Sequence, residues 1–213
     1  MSRAATVAHI ERDRIIAILR LKDPAIAVTV IEALVAGGLT LIEITMSVPN
    51  AIGLIADISR RLPSDVVVGA GTILDVDTAS RAIDAGARFV VSPVCRSALV
   101  AACHKREVAM MPGCYSPTEI LAASDAGADF VKLFPARSLA PSYIRDVREP
   151  LPHVKVIPTG GITADNAADW LRAGASAVGV GGALLDRAAV AAGRFEVLTA
   201  AAARLRSAVE RAR

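Results

Sequence analysis

Four phrases in this 213-residue chain repeat one device: AGGLTLIEI from Ala36, AGARFVVSP from Ala85, AGADFVKLF from Ala126 and AGASAVGVG from Ala173. Each reads as the end of a helix, a glycine stop (Gly38, Gly86, Gly127, Gly174), a small turn and a short apolar strand. Around them, apolar runs alternate with helical patterns along the whole chain, and Gly or Pro marks most junctions. Strands are expected near 15–20, 39–45, 66–70, 88–92, 108–111, 129–134, 154–158 and 177–181, with helices between them such as 23–37 and 165–174. An extra N-terminal helix is expected over 2–13 and a last one over 194–213. The hydrophobic fraction is 54% but the aromatic fraction only 3%, so the core has to be built from Ala, Val, Ile and Leu, as in parallel strands buried on both faces. Eight strand–helix repeats predict an α/β fold, a single (β/α)8 TIM barrel forming one domain over 1–213. A doubly wound open sheet is the alternative. It would show a glycine-rich dinucleotide turn after the first strand, where this chain has Arg20-Leu21-Lys22.

Several functions are poorly supported. The formal net charge is +3, with basic residues dispersed among acids, which argues against a nucleic-acid surface. Arg204, Arg206, Arg211 and Arg213 gather at helical spacing and read as a solvated helix face. Cys95, Cys103 and Cys114 have neither disulfide nor zinc-site spacing, and His9, His104 and His153 are scattered, so no metal is expected. No stretch has the pattern of a secretory leader or a membrane span, and the expected compartment is the cytoplasm.

A barrel places its active site at the C-terminal ends of the strands, and the polar residues concentrate there. Lys132 lies inside the apolar run Asp129 to Pro135. Strand alternation puts it on one face with Phe130 and Phe134, opposite Val131 and Leu133. Burial disfavours the charged form of an amine, and a neutral amine is a nucleophile toward carbonyls, so Schiff-base chemistry is the first functional expectation. A lysine that snorkels to water from a strand end is the bland alternative. By the same alternation Leu41, Glu43 and Thr45 share a face, which would aim Glu43 into the barrel near Lys132. It would serve there as general base and acid, or as half of a structural ion pair. Gly160-Gly161 and Gly181-Gly182 end the last two strands, where freed backbone amides suit a phosphate, although glycines also permit plain tight turns. Arg20 is a candidate clamp for a second anion or a rim salt bridge, and Thr72 a hydroxyl donor. Cys114 and Tyr115 are expected near the mouth, Cys114 as an inert small residue, and Trp170 as packing.

The strings IEIT, GAGTIL, FVVSP, MPGCYSPTE, FVKLFPA, IPTGGIT and VGVGGAL, in this order over about Ile15 to Leu184, resemble the 2-keto-3-deoxy-6-phosphogluconate aldolases, which include 4-hydroxy-2-oxoglutarate aldolases. The resemblance implies a (β/α)8 barrel, commonly a homotrimer, performing class I aldol chemistry with no metal and no cofactor. Its small-molecule partners would be a 2-keto-3-deoxy sugar acid phosphate and pyruvate. It implies that Lys132 is the Schiff-base lysine and Glu43 the proton shuttle. Thr72 and Pro93 would line the pyruvate portion, Phe134 would pack by the lysine, and Thr159 would contact a substrate hydroxyl. Gly160, Gly161, Gly181 and Gly182 would hold phosphate. Two positions depart from the pattern. Ser47 stands where some members carry a carboxylate-gripping arginine, a task that passes to Arg20 as in members whose first strand ends in arginine. Gly182 stands where many carry a phosphate-binding serine. Thr159, where galactonate-specific relatives tend to have valine, favours the gluconate epimer. The galactonate epimer, 4-hydroxy-2-oxoglutarate, another pyruvate aldol, a phosphosugar isomerase with Glu43 as base and a non-catalytic phosphate-binding barrel remain the rivals.

Overall fold

The computed structural model describes residues 1–212, and Arg213, one of the C-terminal arginines named above, lies outside them. The chain runs α1 (Arg3–Asp13), β1 (Ile15–Leu19), α2 (Ala27–Ala36), β2 (Leu41–Thr45), α3 (Ala51–Arg61), β3 (Val67–Gly71), α4 (Val76–Asp84), β4 (Phe89–Val91), α5 (Ser97–Lys105), β5 (Ala109–Met111) and β6 (Gly113–Cys114). It continues through α6 (Pro117–Asp125), β7 (Val131–Leu133), α7 (Ser142–Arg148), β8 (Val156–Pro158), α8 (Ala167–Arg172), β9 (Val178–Val180), α9 (Arg187–Ala191) and α10 (Glu196–Glu210). Each of the eight expected strands forms, with ends within two residues of those read from the sequence except for the fifth, which runs three residues further to Cys114. The fifth is split into β5 and β6 by Pro112, which has no N–H to give to a ladder. The four expected glycine stops all take left-handed backbone, φ from +85° to +115°.

The strands form two parallel arcs, β5-β4-β3-β2-β1-β9 and β6-β7-β8. They meet at both ends. The Asp129 N–H donates to the Met110 carbonyl at 3.2 Å, and on the other side Ser176 N–H donates to the Val156 carbonyl at 2.9 Å while Thr159 bridges Gly179 in parallel. The strand order is therefore that of a (β/α)8 barrel, curled with helices outside. Alternation sorts the side chains as the sequence requires. Ile16, Ile18, Leu41, Val67, Phe89, Val91, Ala109, Met111, Phe130, Ile157 and Ala177 fill the interior, while Ala17, Ile42, Val68, Val90, Val131 and Val178 pack under the helices. Phe89 fits inside because Gly69, next to it in the ladder, leaves the space where its ring lies. At the N-terminal end Ile10 of α1 joins the interior cluster, with Val7 beside it, and caps the bottom.

Helix ends differ more than strands. The expected helix over 23–37 opens as a 3-10 turn at Pro24–Ile26, capped by the Asp23 carboxylate, and becomes α-helical only from Ala27. The short α9, capped by Asp186, was not anticipated. The last helix is narrower than 194–213, and its arginines are not uniformly solvated. Arg204 and Arg211 are exposed, but Arg206 is only 24% exposed and donates to the Asp13 carbonyl at 3.0 Å. Arg206 thereby joins a buried polar network under the barrel. His9 Nε2 lies 2.8 Å from Thr40 Oγ1 and 3.2 Å from Asp13 Oδ2, the Thr40 hydroxyl donates to Asp13, and Arg12 holds its other oxygen at 2.8 Å.

Burial pushes the Asp13 carboxyl upward, but hydrogen bonds from Thr40 and Arg12 and the neighbouring charges outweigh it and hold it below the ordinary carboxylate value. Burial lowers His9, with Asp13 opposing only in part. Both folded values lie below the unfolded ones, so both contributions to stability are complete above the unfolded values and are lost as pH falls. Replacing Asp13 with Asn is expected to cost on the order of 3 kcal/mol at neutral pH and to flatten the acid limb of a thermal-melting profile. An unchanged melting temperature across pH would contradict this role.

Candidate active site

At the C-terminal end of the barrel, β2 and β7 carry the two ionisable side chains that point inward. Lys132 is paired in register with Gly113 and Ile157, and its side chain is 9% exposed. Glu43, between Ile18 and Gly69 in the ladder, is 2% exposed. Lys132 Nζ stands 3.8 Å from Glu43 Oε1. That oxygen is buried and accepts no hydrogen bond among the described residues. Buried carboxylate oxygens are nearly always satisfied, so an unfilled one beside an amine marks a place where a third polar group fits. The Phe134 ring centroid lies 5.4 Å from Lys132 Nζ, near enough to stabilise a cation at that nitrogen.

Room for the carboxylate comes from Gly71 at the end of β3, where a Cβ would overlap the Glu43 carboxylate. Gly179 does the same for Thr159, whose hydroxyl occupies the space that a methyl would need. The next residue after Gly71, Thr72, adopts φ +61°. A β-branched residue in the left-handed region is strained, and strain of that kind gathers at ligand sites.

The remaining expected residues lie around this mouth. Thr45 is buried, donates to the Leu19 carbonyl at 3.0 Å and lies 2.7 Å from the Ser47 hydroxyl. Arg20 follows β1 directly, is exposed, and has no hydrogen-bond or ion-pair partner among the described residues. The backbone of Pro93, after β4, packs against Gly113 in close contact. Gly160 and Gly161, after β8, have φ +96° and +81°. Gly181 abuts Ile18, whereas Gly182 has open space where a side chain would be. Cys114 is buried and donates to the Glu119 carbonyl at 3.3 Å. Burial first, then Cys95 and Glu119, pushes its thiol upward, in keeping with an inert residue. Trp170 is buried on α8. Two features went unread from sequence: the space-making role of Gly71 and the Thr45–Ser47 hydroxyl pair. The first had a signal, since Gly71 lies two residues beyond Gly69 on the inward face of β3 and opposite Thr45.

A buried lysine and carboxylate in contact at a barrel mouth are the groups that imine chemistry needs, and comparison with known proteins makes the class, a carbon–carbon lyase, and the family explicit. The KDPG and KHG aldolase profile matches residues 7–201. A 2-dehydro-3-deoxy-phosphogluconate aldolase of Treponema pallidum is 37% identical over 193 residues, 90% of this chain and 91% of the relative. A probable 2-dehydro-3-deoxy-6-phosphogalactonate aldolase of Rhizobium meliloti is 37% identical over 171 residues, 80% of this chain and 81% of the relative. Among solved structures, a KDPG aldolase of Legionella pneumophila with pyruvate captured as a covalent carbinolamine superposes with a TM-score of 0.85 at 28% identity, covering 93% of this chain and 97% of that one. The chain belongs to the KDPG and KHG aldolase family.

Replacing Gly71 with Ala drives a methyl into the Glu43 carboxylate. The expected result is a loss of stability of about 1–3 kcal/mol with at least a tenfold fall in aldol cleavage, roughly the rate effect of misplacing a proton-transfer group. Steady-state kinetics and melting of the variant check it, and wild-type rates would show that the carboxylate does not need its observed position.

Proposed function

We propose that this protein cleaves 2-keto-3-deoxy-6-phosphogluconate to pyruvate and glyceraldehyde 3-phosphate through an imine on Lys132. The observation that carries this reading is the buried contact of Lys132 Nζ with the otherwise unsatisfied Glu43 Oε1 at 3.8 Å. The amine adds to the C2 ketone, and the carbinolamine loses water to give an iminium, an electron sink stabilised by the Phe134 ring. Glu43, directly or through one water, removes the proton of the C4 hydroxyl. The C3–C4 bond breaks, its electrons move into the iminium to form an enamine, and the aldehyde leaves. Glu43 returns the proton to C3, and hydrolysis of the resulting imine frees pyruvate and the amine.

The other residues hold the substrate. Arg20 and Thr72 fix the carboxylate, so that its binding orients C2 against the amine, and Pro93 lines the pyruvate portion. Thr45, bonded to Leu19 and Ser47, supports that end, and Thr159 meets a substrate hydroxyl. The amides around Gly160, Gly161, Gly181 and Gly182 receive the phosphate. Thr159 favours the gluconate epimer. The galactonate epimer is the second reading, supported by the Rhizobium meliloti relative and by a solved "native KDPGal" structure with a TM-score of 0.86 at 28% identity. 4-Hydroxy-2-oxoglutarate would enter as a shorter substrate.

The working unit we propose is one barrel domain in a cytoplasmic homotrimer. Among the described residues no helix is long and apolar enough to cross a membrane. The exposed apolar side chains of Leu74, Val76, Val94 and Tyr115, on neighbouring segments after β3, β4 and β6, are candidates for subunit contact.

Replacing Lys132 with Met is expected to abolish cleavage in a folded protein, and Glu43→Gln to slow it by about 10²–10⁴-fold. Substantial turnover by the first variant would remove the imine mechanism, and full turnover by the second would make Glu43 structural. Parallel rates on the two epimers and on 4-hydroxy-2-oxoglutarate decide the substrate.

A further inference from the structure

Two arginines flank the glycine loop that follows β8, and they differ in what they are free to do. Arg204 of α10 lines a cavity of about 240 Å³ with Thr163, Asp165, Ala183 and Leu184. Its guanidinium is already engaged by the Asp165 carboxylate. Arg137 stands on the other side, in the 3-10 turn Ala136–Ser138 that follows the lysine strand. The backbone ties the two loops together, since the Ala136 N–H donates to the Thr159 carbonyl at 2.9 Å. A Cβ placed on Gly161 would lie only 2.9 Å from the Arg137 Cβ and 3.1 Å from its Cα, so the arginine is rooted against the glycine loop itself. Its side chain is exposed and has no hydrogen-bond or ion-pair partner among the described residues. The N–H groups of Gly160, Gly161, Gly182 and Ala183 likewise have no partner among those residues. Arg137 thus sits beside the open amides of Gly160 and Gly161, and the Thr159–Gly179 bridge makes the end of β9, with the other two open amides, a neighbour of that loop.

We propose that Arg137 is a specificity-determining residue, whose guanidinium closes over the phosphate held by these amides and selects substrates phosphorylated at the end remote from the keto acid. This rests on the phosphorylated-substrate reading above. A planar guanidinium gives a phosphate two parallel charge-assisted hydrogen bonds, which backbone amides alone do not supply. It also offsets the absence of a side-chain hydroxyl at Gly182. Arg137 touches none of the reacting carbons, so its effect falls on substrate capture and leaves the imine and proton steps alone.

The test uses the full chain in the condensation direction, with pyruvate and either glyceraldehyde 3-phosphate or unphosphorylated glyceraldehyde. The wild type is expected to prefer the phosphorylated aldehyde. Arg137→Ala should raise KM for that aldehyde roughly three- to thirtyfold while leaving kcat and the kinetics with glyceraldehyde unchanged. Arg137→Glu should raise it further, and Arg137→Lys should retain part of the preference. An undiminished preference in Arg137→Ala overturns the assignment, as does an equal loss on both aldehydes, which would mean a structural role. A wild type that condenses both aldehydes equally well overturns the phosphate site as a whole, and the phosphorylated-substrate reading with it.

Discussion

The contact on which the site depends is that of Lys132 with Glu43, an amine and a carboxylate held inside a barrel whose interior is otherwise filled mainly by Ile, Val, Leu, Ala, Met and Phe. Taking two ionisable groups out of water is unfavourable unless they meet each other or a ligand. Around this pair the barrel makes specific accommodations. Gly71 yields space to the carboxylate, and the Phe89 ring lies below where a side chain on Gly69 would be. Pro112 breaks the ladder between β5 and β6, and its carbonyl accepts the Lys132 N–H at 2.9 Å, so the lysine's own backbone is anchored at that break.

On the proposed reading, the chemistry and the substrate-holding function are divided along the chain. The proposed reactive pair comes from β2 and β7, whose side chains meet at 3.8 Å. The proposed anion-binding groups lie on the turns after β1, β7, β8 and β9, outside the strand ladder. That division is physically consistent with one family containing relatives named for both the gluconate and the galactonate epimers.

Much of this was legible in the sequence because strand alternation is a strict period. Phe130, Lys132 and Phe134 had to share a face, and Leu41, Glu43 and Thr45 had to share another. Knowing that the barrel interior was buried was then enough to bring Lys132 and Glu43 together. The strand ends were legible for the same reason, and the helix stops because Gly38, Gly86, Gly127 and Gly174 take backbone that other residues rarely adopt. What escaped was set by three-dimensional packing with no local period. The 3-10 start before α2 depends on Pro24 and the Asp23 cap. Arg206 looked solvated because helical spacing does not reveal that α10 lies over the buried Asp13. The use of Gly71 as a space for Glu43 appears only when β2 and β3 are set in register.

The most direct test of the central claim is incubation with pyruvate followed by borohydride reduction, with intact-mass and peptide analysis. The account predicts one stable adduct per chain, carried by Lys132. A folded protein that gives no adduct, or one that carries it on another lysine, would contradict it.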